Sequence, residues 1–203
     1  MSVIVMDHNL FVGSFGIEQM TYDMVETSDV TGSEAVRIFG PPRWRVSMAG
    51  GDSMSLAQAG LWEIMVLQLK RGVNSLAVYD PVRTLPQGTM RGSPVLANTA
   101  FAGDESVQMG SAAGTLLPGD WMQLGSGAST SQMVKVVALA TGAGTATVYF
   151  EPPLRVGFAA GTAVTLDHPV FYARCLNKST RWDYQAGNLL VSGFALDLLE
   201  TFA

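Results

Sequence analysis

Apolar and polar positions alternate along most of the chain. In RWRVSMA, residues 43–49, Trp44, Val46 and Met48 fall on one side of an extended backbone, and Arg43, Arg45 and Ser47 fall on the other. That period of two marks a strand with one buried face. Met20, Tyr22 and Met24 share a face in the same way, with Thr21, Asp23 and Glu26 among their polar neighbours. Further strands are predicted over 35–39, 76–79, 121–124, 133–140, 145–150, 163–167, 170–176, 180–184 and 189–201. Short strands at this density, broken by 22 glycines and nine prolines, predict a mainly β protein of sandwich or barrel architecture.

One segment breaks the period. SLAQAGLWEIMVLQLKRG, residues 55–72, opens with a Ser-x-x-Gln capping box at Ser55 and Gln58, and carries apolar residues at Leu61, Ile64, Met65 and Leu69. It closes on Lys70, Arg71 and Gly72. Cations in a last turn suit the helix dipole, and a glycine just beyond supplies a left-handed stop, so the segment predicts one α-helix with both ends marked. Gly60 costs such a helix about 1 kcal/mol relative to alanine. Close packing of the helix on a sheet is the expected compensation.

After Tyr79 the stretch DPVRTLPQGTMRGSPVLANTAFAGDESVQMGSAAG, rich in proline, glycine and small polar residues, reads as a passage between domains. Residues from about 112 to 167 then have strands and turns of their own. Segments 133–140 and 145–150 are joined through TGAG, and Pro152-Pro153 ends the second, because proline cannot donate to a ladder. The expected organisation is discontinuous: residues 1–84 and 169–203 form one sheet-based domain, and 85–168 form an inserted small β-barrel. In LPGDW, residues 117–121, Pro118 is preset for the second position of a turn and Gly119 can take positive φ at the third. Asp120 therefore reads as the exit of a type II turn in preference to a catalytic carboxylate.

At 203 residues the chain is long enough to bury a substantial core. With 14% charged and 48% hydrophobic residues, it points to further apolar surface buried between subunits. A formal charge of −5, with no run of four basic residues, argues against a phosphate-binding protein. Cys175 is the single cysteine and cannot form an internal disulfide; its neighbours suggest an inert thiol in a strand. The N-terminus lacks the cationic start of a secretory signal. The apolar run within 61–69 is far short of the ~20 residues that span a bilayer, so no membrane association is expected.

Candidate chemistry is sparse. His8 lies beside Asp7 and His168 precedes Pro169, and no HxH, HxxxH, HExxH or CxxC spacing accompanies them, so no metal site is assigned. No GxSxG is present. Asp104-Glu105 reads as a solvated acidic turn, and GSGAST and TGAGTAT as hairpin loops that lack the pattern of a phosphate cradle. Of Trp44, Trp62, Trp121 and Trp182, three are expected in cores, which leaves one that could line a carbohydrate groove. No catalytic residue, cofactor-binding residue or cofactor is assigned, and the chain is expected not to be an enzyme.

The helical SLAQAGLWEIMVLQLKRG, then VNSLAVYDP, PQGTMRGSP, LLPGDWMQLG, TATVYFEPPLRVGFAAGTAV and RWDYQAGNLLVSGFALDLLE, together resemble the tail proteins of long-tailed bacteriophages, in particular distal tail proteins at the tube tip. The resemblance covers most of the chain from about Arg43. It implies a tail-tube-like β-sandwich with one packed helix that assembles as a ring, usually a hexamer, between the tail tube and the tail-tip hub. The insert would face outward. The implied location is the virion, after assembly in the host cytoplasm, and the implied partners are further copies of the chain, the tail tube protein and hub proteins. DNA passes through the lumen of such a ring, so specific nucleic-acid binding is not expected, and a weakly charged or acidic wall suits it. Two other classes stand beside this reading. A carbohydrate-binding adhesion module would expose aromatics such as Trp121 and Trp182, and a cell-wall hydrolase would turn over peptidoglycan.

Overall fold

The computed structural model describes residues 2–29, 31–185, 187 and 189–201. Among them the chain is mainly β, with a single α-helix, α1 (Leu56–Leu69). Strands are numbered along the chain. The first sheet has the spatial order β1 (Val3–Val5), β5 (Ser75–Val78), β12 (Phe171–Cys175), β15 (Ala195–Glu200), β3 (Glu34–Gly50) and β2 (Val12–Thr27). Its β1–β5 pair is parallel and its other pairs are antiparallel. Trp44, Val46 and Met48 of β3 are buried as their alternation predicts. With Trp62, Leu76, Phe171 and Phe194 they belong to a cluster that α1 helps to cover. A small sheet of β13 (Asp183–Gln185), β14 (Leu190–Ser192) and β4 (Met54–Ser55) lies beside the start of the helix.

The second six-stranded sheet runs β11 (Val164–Thr165), β8 (Trp121–Leu124), β9 (Gln132–Val136), β10 (Ala140–Glu151), β7 (Ser106–Leu116) and β6 (Val95–Leu96). Its two ends meet: Val95 bridges Ala163, and the Leu96 amide donates to the Thr162 carbonyl at 2.9 Å. The sheet is thus a nearly closed barrel, filled by a second cluster that includes Met109, Leu116, Met122 and Phe150. Closure removes the free edges of this sheet.

Several expected elements differ. Residues 106–114, read as part of the passage between domains, lie in β7, and TGAG is not a hairpin loop: Thr141–Gly144 lie inside β10, opposite Ala112–Thr115 of β7, with a bulge at Gly144/Thr145. The two glycines of TGAG have different causes: Gly144 takes φ 120° at the bulge, and Gly142 is there for proximity. A Cβ on Gly142 would stand 2.7 Å from the Ala112 carbonyl oxygen, closer than a real Cβ contact allows. The predicted strand over 189–201 is interrupted between Ser192 and Ala195, where Gly193 takes φ 92°. The strand at 180–184 shortens to Asp183–Gln185, and the one at 163–167 to Val164–Thr165.

The helix starts as its capping box predicts. The Gln58 amide donates to Ser55 Oγ at 3.4 Å and the Ser55 amide to Gln58 Oε1 at 3.1 Å. It stops earlier than the glycine: Lys70 is already left-handed (φ 46°), followed by Arg71 (φ 57°) and Gly72 (φ 84°). Its buried face is Ala59, Trp62, Met65 and Leu69, whereas Ile64 is 54% exposed, so the apolar stripe is rotated from the predicted one. Gly60 does not pack closely on a sheet; a Cβ there meets no atom within 4 Å. Gly60→Ala is therefore expected to stabilise the protein by about 1 kcal/mol, measured as a shift of the urea midpoint at unchanged slope.

Candidate functional site

A bare apolar feature arises where two strands outrun their sheet. β15 pairs with β3 only from Arg45 to Ala49, but β2 and β3 stay paired from Tyr22↔Gly40 to Thr27↔Glu34. Residues 22–39 thus form a two-stranded arm, closed by a turn in which the Ser28 amide donates to the Ser33 carbonyl at 2.9 Å. Glu34 to Gly40 is six steps, about 20 Å at roughly 3.3 Å per residue. Pro41 and Pro42 lie within β3 at the arm's root, where register shifts flank Tyr22 on the facing strand, and such bulges are the positions in a sheet that tolerate proline.

Beyond this root the described side chains of the ribbon are almost all exposed. Val25 faces Val36 across the ladder. Both are exposed, as is Met24 on the opposite face; Ile38 is 78% and Phe39 70% exposed. Met24 was expected on a half-buried face with Met20 and Tyr22, and it is exposed because that part of β2 has left the core. An isolated two-stranded ribbon is marginal in water, and a cluster of bare apolar side chains marks an interaction site. The root of the arm also overhangs the loop after β10, where Ile38, Pro41, Pro42, Pro153 and Leu154 line an apolar groove of about 410 Å³. Among the described residues the outer edge of β2 has no strand partner.

The residues singled out for chemistry are placed as follows. Asp120 is buried, and its carboxylate accepts backbone N–H bonds from Gln87 at 2.7 Å, Leu117 at 2.8 Å and Gly88 at 3.2 Å. The Asp120 amide donates to the Leu117 carbonyl at 3.0 Å, and Gly119 has φ 95°, as a type II turn requires. Asp120 thus ties the barrel's entry segment to its turn. Asp104 likewise accepts the Phe101 amide at 2.7 Å, while Glu105 is exposed. Cys175 lies half-buried in β12, and burial pushes its thiol up. Its labelling by a disulfide reagent at pH 7 is expected to be at least about ten-fold slower in the native protein than in denaturant.

His8 and His168, 160 positions apart, are brought together with Tyr79. The two imidazoles lie 4.6 Å apart, centroid to centroid, and the phenol is 5.2 and 5.3 Å from them. Asp167 contacts Nδ1 of His168. Burial, then the Asp7 charge, raises the Tyr79 hydroxyl above its ordinary value. Among the described residues no group of three or more His, Cys, Asp or Glu is arranged to hold a metal ion, and no helix is long and apolar enough to cross a membrane.

Three tryptophans are in cores. Trp44 and Trp121 meet edge-on at 5.0 Å, Trp44 Nε1 donates to the Met133 carbonyl at 2.9 Å, and Trp121 Nε1 donates to Asp80 at 3.0 Å. Trp121 is therefore not available to stack on a sugar. Trp62 is fully buried, and the half-buried Trp182 stacks on Phe194 at 5.4 Å. Sequence reading missed one group of residues at this junction. Arg155, in the loop after β10, pairs with Glu200 of β15 at 3.0 Å, and Glu200 also accepts the Trp44 amide at 3.0 Å. Burial raises the Glu200 carboxyl and lowers the Arg155 guanidinium despite their mutual attraction.

No protein-family model matches this chain, and comparison with curated proteins finds no significant relative.

Proposed function

We propose that the chain is a structural, non-enzymatic component of a bacteriophage tail tip, a distal tail protein whose copies close into a ring between tail tube and hub. The observation that carries this reading is the arm at 22–39, bare and apolar on both faces beside the unpartnered edge of β2. Such a surface is covered only in an assembly, and closed cyclic symmetry covers every copy's at once. The sequence resemblance supplies the kind of assembly, a hexameric ring in a virion whose lumen passes DNA, and the −5 charge suits a wall that does not retain it.

Negative-stain imaging and sedimentation of the purified chain test the proposal. Ring-shaped particles of fixed rotational order are expected. Ile38→Asp with Phe39→Asp should dissolve them into monomers while changing the melting temperature little, because both side chains are exposed. A chain that stays monomeric at about millimolar concentration and binds neither tail-tube nor hub proteins would refute the reading.

A further inference from the structure

The protein has 12 lysines and arginines in all, and three of them, Lys70, Arg71 and Lys178, line one pocket of about 340 Å³ between the C-terminal end of α1 and the loop after β12. Its remaining walls include Leu67, Leu196 and Trp182, and no acidic side chain lines it. None of the three cations is in an ion pair among the described residues. The acids nearest along the chain are engaged elsewhere: Glu63 accepts the Tyr184 hydroxyl at 2.6 Å, and Asp183 pairs with Arg181 at 2.8 Å. Lys70 and Arg71 complement the helix dipole. Lys178 comes from a different segment, so the dipole does not account for the trio. Lys70 and Arg71 also hold consecutive left-handed conformations (φ 46° and 57°), which side chains other than glycine adopt at a cost.

The complement of this pocket is on the same chain. Residues 22–39 of the arm carry Asp23, Glu26, Asp29 and Glu34 against Arg37 alone, four negative charges less one positive, or −3. Arg37 is already paired with Glu26 at 3.4 Å. Exposed Met24, Val25 and Val36 stand among these acids, matching the mixed apolar and cationic walls of the pocket. A molecule cannot satisfy its own pocket. Leu196 in the pocket wall is paired with Met48 of β3, and from Met48 the strand runs back through Arg45 and Gly40 to the arm, so the arm leaves from the far end of β3.

We propose that the acidic arm of one copy docks in the Lys70–Arg71–Lys178 pocket of the next. The contact is heterologous, arm to pocket, and it closes into a ring when the rotation per copy divides the circle. It rests on the ring reading above and names the contact that builds the ring.

Charge reversal at both ends tests it by sedimentation velocity. The pocket variant (Lys70→Glu, Arg71→Glu, Lys178→Glu) and the arm variant (Asp23→Lys, Glu26→Lys, Asp29→Lys) should each associate about 100-fold more weakly than the wild type. An equimolar mixture should recover assembly, because each variant's arm then meets an oppositely charged pocket. Wild-type association should weaken with salt. The neutral variant Lys70→Ser, Arg71→Ser, Lys178→Ser, with thermal melting as the folding control, gives the same weakening without like charges at the helix end. Variants that assemble like the wild type, or a mixture that stays dissociated, overturn the arm–pocket contact and leave the ring reading standing. A wild type that never assembles overturns the contact, and one that also binds neither tail-tube nor hub proteins overturns both.

Discussion

Asp120→Ala is expected to destabilise the protein by about 4 kcal/mol. The carboxylate is buried and accepts three backbone N–H groups, from Gln87, Gly88 and Leu117. Alanine removes both acceptor oxygens and leaves three N–H donors unpaired at once, that of Gly88 buried and those of Gln87 and Leu117 partly buried, and a donor left unsatisfied away from water costs about 1–3 kcal/mol. The backbone cannot turn to other partners, because Gly88 is wedged against β7: a Cβ there would stand 2.0 Å from the Thr115 carbonyl oxygen. Asp120→Asn keeps one acceptor oxygen and should recover about half of the loss. Urea unfolding of both variants checks this. Asn equal to wild type would show that the charge contributes nothing, and Ala within about 1 kcal/mol would show that the amides find other acceptors.

Arg155→Met is expected to cost about 3–5 kcal/mol, because it removes the guanidinium that pairs with the buried Glu200 carboxylate at 3.0 Å and leaves Arg43 as the remaining nearby cation. Adding Glu200→Leu should restore most of that. Burial displaces both partners in the direction of their neutral forms, which means that desolvation outweighs attraction, the circumstance in which apolar replacements of a buried pair are neutral or better. The pH dependence follows from sign. With a folded value above 4.5, the Glu200 contribution is present below that pH and lost as pH rises through the folded value. The Arg155→Met deficit should therefore be smaller at pH 4.5 than at pH 7. A double variant no more stable than the single one would refute this account.

The parts legible in the sequence were those whose cause is local. The capping box at Ser55 and Gln58, the alternation in 43–49 and the turn at 117–120 each depend on residues within a few positions of one another. What was misread has causes distant along the chain. The segments 35–39 and 43–49, predicted as separate strands, are one strand, β3, because Pro41-Pro42 between them occupies a bulge that only the facing strand defines. Gly142 and Gly144 have the composition of a loop for reasons set by the facing strand: a Cβ on Gly142 would meet the Ala112 carbonyl, and Gly144 takes φ 120° at the bulge with β7. Ile64 was assigned to the core by helical period, yet the sheet lies under Trp62 instead. The Arg155–Glu200 pair spans 45 positions and the His8–His168 contact 160, with no spacing to announce either.

Because β6 and β11 meet, the barrel leaves no room for a foreign strand, and at the far side of the first sheet β1 offers only three residues. The flank of β2 is sixteen residues long and, among the described residues, without a strand neighbour. Misassembly of overproduced chain is thereby channelled to one place. Intermolecular β-pairing along residues 12–27, rather than through the barrel, is the route by which surplus copies would aggregate, and a lysine or proline placed on that outer rim would keep them soluble.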